Sequence, residues 1–219
     1  MKIASFDVDA QNGFTPICPL ELPVKGGDEI VAELNANAVF ADYRVGSKDA
    51  HNFNQLWVAN NEKPQFAKIE NQKNMDIHWN AHCIVGTNGF ELIKGLPHPI
   101  NGYDFFVYKG LEKDVHPYGA CYHDLEGKKS TGVIEWLKDK QVEIVIIGGL
   151  ATDYCVKLTA IQLREAMFTV IINLNACRAI TDDLTLTLRE FMDCGIKIAN
   201  NSIEVKKIIH YLRETKYGN

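Results

Sequence analysis

The sequence has no apolar run near the roughly 20 residues that a helix needs to cross a bilayer. Its richest apolar stretch, residues 142–150, carries Glu143 and contains a glycine pair. The first residues lead into a short apolar run that meets Asp7 and Asp9, without the long apolar core of a signal peptide. These absences predict a protein of the cytoplasm with no membrane partner.

The sequence also lacks an excess or a cluster of basic residues. The chain has 23 lysine and arginine residues against 28 aspartate and glutamate residues, which gives a formal net charge of −5. The cationic residues are scattered, so no surface is expected to gather phosphates along a nucleic acid. We therefore predict no nucleic-acid partner.

The six cysteines include no Cys-x-x-Cys pair. This excludes a zinc knuckle and a thioredoxin-type redox pair. In a reducing compartment most of them are expected to be small buried hydrophobes, and one could serve as a nucleophile.

The length of 219 residues, 46% of them hydrophobic, predicts a single domain over 1–219 with a sizeable core. Strand-like apolar runs alternate with helix-like stretches. Strands are predicted at 3–8, 38–45, 103–108, 142–147, 169–174 and 196–199, and helices at 28–37, 130–140, 153–167 and 202–213. This alternation predicts an α/β fold with a parallel sheet and helices on both faces. Residues 51–100 break the rhythm and predict a lid-like or binding insertion, the alternative being a tolerated surface loop.

Chemistry-bearing residues follow the predicted strands, where an open α/β sheet binds its ligands. Asp9, Lys109 and Cys155 come from three different strand ends. Cys155 lies in the opening turn of a predicted helix, where the helix dipole favours a thiolate. Asp9 could take the thiol proton and Lys109 could stabilise the charge. The alternatives are a buried structural cysteine, a capping acid and a solvated lysine.

The Asp-x-His pattern suggests a metal site, but the pattern is weak by itself. It occurs three times, at Asp49/His51, Asp76/His78 and Asp114/His116. Only the first directly follows an apolar strand, and His82 could complete it. A mixed set of carboxylate and imidazole ligands suits Zn, Fe or Mn.

Five ordered blocks share the pattern of one protein family. They are residues 9–14 (DAQNGF), 47–51 (SKDAH), 79–87 (WNAHCIVGT), 108–110 (YKG) and 149–156 (GLATDYCV). Together they resemble the nicotinamidase/pyrazinamidase branch of the isochorismatase-like cysteine hydrolases. The resemblance spans about residues 3–200, and the block around Cys155 is its most specific part.

The resemblance implies a three-layer fold around a six-stranded parallel sheet, with Asp9, Lys109 and Cys155 as the catalytic triad. It implies one divalent metal ion on Asp49, His51 and His82.

It further implies Phe14 and Trp79 as ring-stacking residues that bind the substrate. The Leu150–Ala151 peptide bond would be cis, and the Ala151 and Cys155 N–H groups would form the oxyanion hole.

The implied activity converts nicotinamide, and pyrazinamide too, into the acid and ammonia through a cysteine thioester. Two alternatives stay open. One is a metal-free amidase acting on a carbamoyl or ureido compound, and the other is a non-catalytic thiol- or ligand-binding relative. The metal's identity and a homo-oligomeric state are also left open.

The chain departs from the family where many relatives carry a second histidine shortly after the first. Here Gln55 stands four residues beyond His51, so Asn54, Gln55, Glu62 or water would supply the fourth ligand. The remaining histidines are assigned to packing or to the surface: His78, His98, His116, His123 and His210. Of these, His78 is the one least readily excluded from the pocket.

Overall fold

The computed structural model describes residues 1–217. Its centre is a sheet of six parallel strands in the order β3-β2-β1-β4-β5-β6. The strands are β1 (Lys2–Val8), β2 (Tyr43–Asp49), β3 (Phe105–Lys109), β4 (Val142–Leu150), β5 (Thr169–Arg178) and β6 (Lys197–Ala199). The helices are α1 (Val31–Val39), α2 (Val133–Asp139), α3 (Lys157–Glu165), α4 (Thr185–Asp193) and α5 (Ser202–Tyr217).

The helices cover both faces of this sheet. Ile146 of β4 shares a hydrophobic cluster with Val205 of α5. Its neighbours Val145 and Ile147 share a different cluster with Leu137 of α2. Successive side chains of a strand point to opposite faces, so the two clusters lie on opposite sides of the sheet. The predicted three-layer α/β fold with a six-stranded parallel sheet is confirmed.

Strand β4 is buried on both faces, which explains its density of β-branched residues. It runs three residues beyond the predicted end because its glycine pair continues the ladder with β1. A Cβ at Gly149 would lie 1.9 Å from the Val8 carbonyl oxygen, and Gly149 has a φ of +137°. Only glycine permits this close approach. It brings the ends of β1 and β4 side by side, where the next residues are Asp9 and Ala151.

Two elements differ from the prediction. The strand predicted at 38–45 is wrong in its first half, since residues 38–39 end α1 and β2 begins at Tyr43. A short apolar run such as 38–41 cannot by itself distinguish a helix end from a strand. Helix α4 is absent from the prediction, and its buried residues are Thr187 and Phe191.

Residues 51–100 form the irregular segment that was predicted. Within it the structure has one short 3-10 turn, Asn88–Phe90, and isolated bridges such as His51 to Ile84 and Val58 to Trp79. The bridges fix this segment across the carboxyl ends of the strands; its role as a lid stays a prediction. No helix within residues 1–217 combines the length and the apolar character that spanning a membrane requires.

Candidate active site

The three catalytic candidates meet at the carboxyl edge of the sheet. Asp9 directly follows β1, Lys109 is the last residue of β3, and Cys155 lies in a π-helical turn, Thr152–Val156, after β4. The Lys109 Nζ lies 3.0 Å from Asp9 Oδ2 and 3.8 Å from Cys155 Sγ. All three side chains are buried, so the cluster is shielded from bulk water.

Lys109 is held by further partners on two sides. Its ammonium forms a close ion pair with Asp49 Oδ1 and donates to the Pro117 carbonyl at 3.1 Å. The Ser47 hydroxyl donates to Asp9 Oδ1 at 2.7 Å, which fixes the second partner of the lysine. A fully buried lysine between two carboxylates is a preorganised source of positive charge beside the cysteine sulfur.

The surroundings of Cys155 favour its thiol form over its thiolate. Burial raises the pKa of Cys155 well above its usual value; Lys109 opposes the shift, but Asp9 and Asp49 add to it. Burial also raises the pKa of Asp9, although Lys109 opposes it. Burial and the two carboxylates therefore act against the thiolate that the helix terminus is expected to favour. The raised pKa of Asp9 makes its carboxylate a stronger base beside the thiol.

Asp49 connects this cluster to two histidines. Its Oδ1 faces Lys109, whereas its Oδ2 lies 3.6 Å from His51 Nε2 and 3.8 Å from His82 Nε2. Burial would raise the pKa of Asp49, but Lys109 and His51 outweigh burial and lower the pKa below its ordinary value. The carboxylate is thus ionised and can serve both the lysine and a cation.

The two histidines are oriented as metal ligands are. His51 Nδ1 lies 3.1 Å from the Gly110 carbonyl oxygen, and His82 Nδ1 lies 2.6 Å from the Asn80 carbonyl oxygen. When Nδ1–H donates to a carbonyl oxygen, the lone pair of Nε2 is free to bind a metal. A metal-bound imidazole usually donates its other ring N–H to such an outer-shell acceptor. His51 Nε2 is buried without a hydrogen-bond partner in residues 1–217. Burial and His51 lower the pKa of His82 to about 3, so its ring is neutral. This donor set fits a divalent metal ion.

The predicted candidates for a fourth ligand differ in their surroundings. Asn54 and Glu62 are exposed, and Glu62 lines an open groove together with His78. The Gln55 amide nitrogen donates to the Gly110 carbonyl at 2.8 Å, whereas its Oε1 is buried without a hydrogen-bond partner in residues 1–217. His78 is buried with its Nδ1 3.0 Å from the Trp57 carbonyl oxygen, in keeping with the packing role assigned to it.

The residue that sequence reasoning missed is His116. It was assigned to packing or the surface, but it lies in the pocket, with its ring stacked on that of His51 at 5.4 Å between centroids. It belongs to the third Asp-x-His pair, which does not directly follow a strand. Trp57 was missed as well: it is fully buried, and its ring centroid lies 4.6 Å from that of His51 and 4.4 Å from that of His116.

A small pocket opens onto this cluster. Its lining combines aromatic and aliphatic walls with the polar groups described above: Phe14, Leu22, Asp49, Trp79, His82, His116, Tyr118, Ala151, Tyr154, Cys155 and Ile180. Phe14 and Trp79 both lie in this lining, and the Trp79 indole N–H donates to the Tyr118 hydroxyl at 3.1 Å. The Leu150–Ala151 peptide bond is cis, as the resemblance implies.

An acid, a lysine and a cysteine in contact, beside a carboxylate and imidazoles able to hold a metal, define a site of the cysteine-hydrolase type. The model of the isochorismatase domain matches residues 7–200. The chain belongs to the isochorismatase family.

Within this family, the chain is similar to nicotinamidases and pyrazinamidases. A nicotinamidase of Acinetobacter baylyi is 33% identical over 203 residues, which are 90% of this chain and 92% of the relative. A solved nicotinamidase/pyrazinamidase of Acinetobacter baumannii superimposes with a TM-score of 0.84 at 27% identity, covering 93% of this chain and 98% of the other. A pyrazinamidase of Pyrococcus horikoshii, solved in complex with zinc, gives a TM-score of 0.70 at 26% identity, covering 91% and 99%. The resemblance stated from the motifs is confirmed.

Proposed function

We propose that this protein hydrolyses nicotinamide to nicotinate and ammonia, and pyrazinamide likewise, through a thioester on Cys155. The observation that carries the proposal is the contact of Lys109 with both Asp9 and Cys155 inside a small aromatic pocket. The similarity to nicotinamidases over nine-tenths of the chain supports the choice of substrate. On this proposal the enzyme is a single cytoplasmic domain whose partner is a small amide.

The pocket suits a ligand with one aromatic ring. Its walls are mostly aromatic and aliphatic, and they surround the Cys155 sulfur. Phe14 and Trp79 supply apolar faces for a ring, and aromatic pairs contribute about 0.5–1.5 kcal/mol beyond area burial. A ring held between them would place its carboxamide carbon near the Cys155 sulfur, which is the proximity contribution to catalysis.

The chemistry assigned to the triad follows from its protonation states. Asp9 accepts the thiol proton as the sulfur attacks the amide carbon, and Lys109 stabilises the resulting negative charge. The backbone N–H groups of Ala151 and Cys155 would receive the oxyanion. The C–N bond then breaks, and ammonia departs with the proton from Asp9. Water adds to the thioester, which releases nicotinate and restores the thiol.

Asp49, His51 and His82 would hold one divalent metal ion, with zinc, iron and manganese as the candidates. The relative solved with zinc supports a metal in this family. When bound, the ion supplies a Lewis acid for the pyridine nitrogen and for water. Asp49 would share its carboxylate between this ion and Lys109, so the metal site and the triad are joined through one side chain.

The test is an assay of ammonia release from nicotinamide, with and without a chelator. We expect wild-type turnover, its loss in Cys155→Ala, and its retention in Cys177→Ala, which removes a buried cysteine of β5. We also expect the chelator to lower the rate and added metal to restore it.

Ammonia release that persists in Cys155→Ala would end the nucleophile assignment. Turnover of a carbamoyl compound but not of nicotinamide, insensitive to chelator, would favour the metal-free amidase instead.

A further inference from the structure

His116 is a buried imidazole without a hydrogen-bond partner in the part of the chain that the structure describes. Its side chain is 3% exposed, and neither Nδ1 nor Nε2 is paired. Buried polar groups are nearly always hydrogen-bonded, because leaving one unpaired is costly. Two unpaired imidazole nitrogens in a pocket of this kind therefore indicate that His116 binds a ligand.

The three histidines of the pocket share a geometry that one metal ion would explain. One nitrogen from each of His51, His82 and His116 lies within 4.8 Å of the others. Zinc–nitrogen bonds of about 2.0–2.1 Å in a tetrahedron place two bound imidazole rings about 5 Å apart between centroids. The observed centroid distances are 4.9 Å (His51–His82), 5.4 Å (His51–His116) and 5.6 Å (His82–His116).

The surroundings of His116 favour this role over packing alone. Trp57 lies against all three imidazoles, with centroid distances of 4.6, 5.2 and 4.4 Å to His51, His82 and His116. The Trp57 indole thus fixes the three imidazole rings and shields their ring nitrogens from water. Tyr118, two residues beyond His116, lies at 5.2 Å and lines the pocket as well.

We propose that His116 is a third imidazole ligand of the metal ion held by Asp49, His51 and His82. This inference rests on the metal site of the proposed function. On this proposal the fourth protein ligand of the metal is a side chain from the loop after β3. The candidates considered from the sequence, Asn54, Gln55 and Glu62, belong to a different segment of the chain. The ion would then be held by one carboxylate oxygen and three imidazole nitrogens, donors that suit zinc.

The experiment measures metal binding rather than turnover. Chelator-treated wild type, His116→Gln, His116→Cys and the control His78→Gln are titrated with Zn²⁺ against a competing chelator, and the visible spectrum is recorded with Co²⁺. His78 is a matched control because it is also buried but does not line the pocket, and its Nδ1 lies 3.0 Å from the Trp57 carbonyl oxygen. Thermal unfolding of each metal-free variant reports on folding separately.

We expect His116→Gln to weaken Zn²⁺ binding by more than about 100-fold, beyond the 10- to 100-fold typical of outer-shell changes. Its Co²⁺ spectrum should shift, His116→Cys should recover affinity through a thiolate, and His78→Gln should bind like wild type.

Wild-type affinity and an unchanged Co²⁺ spectrum in His116→Gln would overturn the inference while leaving the metal site in place. Failure of wild type to bind either ion would overturn the metal site itself, a separate result. Should His116→Gln not fold, the affinity of His116→Cys decides, and loss of binding in that folded variant contradicts the role.

Discussion

Replacing Lys109 with methionine tests the charge arrangement at the centre of the site. The substitution keeps the length and apolar stem of the side chain but leaves Asp9 and Asp49 buried without their shared cation. Removing one partner of a buried ion pair costs about 3–5 kcal/mol. At about 2–4 °C per kcal/mol for a chain of this size, Tm should fall by roughly 6–20 °C.

The pH dependence of this loss has a definite sign. Lys109 lowers the pKa of both Asp9 and Asp49. Without it, the pKa of Asp9 rises further above that of the unfolded chain and the pKa of Asp49 rises from its lowered value. The native variant therefore takes up a proton on Asp9 before the unfolded chain does. Such groups favour the native state at low pH and disfavour it as pH rises through the folded pKa. The deficit in Tm should therefore be largest near pH 7 and shrink as pH falls toward 4.

The matched control is Lys48→Met. Lys48 is also buried and lies on the neighbouring strand β2, but it pairs with the exposed carboxylate of Glu91 at 3.8 Å. A pair with an exposed partner contributes about 0–1 kcal/mol. Thermal unfolding in the presence of chelator compares the two variants. Equal losses in both variants, or a Lys109→Met deficit that grows on acidification, would refute the reasoning.

Two further predictions concern the metal ligands and the nucleophile. Gly110→Ala should weaken Zn²⁺ binding, because Gly110 has a φ of +73° and a Cβ there would lie 2.5 Å from His51 Cε1. Competition with a chelator measures the effect, and Gly127→Ala is the control, since its φ is +68° but its nearest contact is 3.8 Å; equal affinities would contradict the prediction. In metal-free protein, Cys155 should alkylate slowly at pH 7 and faster at strongly alkaline pH, because burial raises the pKa of its thiol well above the usual value. Peptide mass mapping follows the labelling, and rapid modification of Cys155 at neutral pH would show that the thiol is not protonated at rest.

The fold was largely predictable because its strands are short buried runs with strong β preference. All six predicted strands overlap observed ones, and their alternation with helices predicted the parallel arrangement. One strand end was missed where polar residues interrupt the apolar pattern. Strand β5 continues to Arg178, past Asn173, whose amide donates to Glu33 and Asn37 in the interior. No periodicity in the sequence signals such a buried polar contact.

The sequence predicted which residues form the proposed catalytic triad but not their protonation states. Strand ends placed Asp9, Lys109 and Cys155 at one edge, and the structure brings them into contact. The protonation of Cys155 depends on burial and on two nearby carboxylates, which spacing along the chain cannot convey. His116 was missed for a related reason. It reaches the pocket through an irregular loop after β3, and only the folded path shows that its ring meets His51.

The central claim is that Cys155 carries the acyl group during turnover. The most direct measurement is rapid acid quenching of wild-type protein mixed with nicotinamide, followed by intact-mass analysis and peptide mapping. We expect a fraction of the chains to gain one nicotinoyl group, located on Cys155 and absent from Cys155→Ala. Ammonia release with no acylated protein in any quenched sample, or with the acyl group on another residue such as Cys83, would contradict the account.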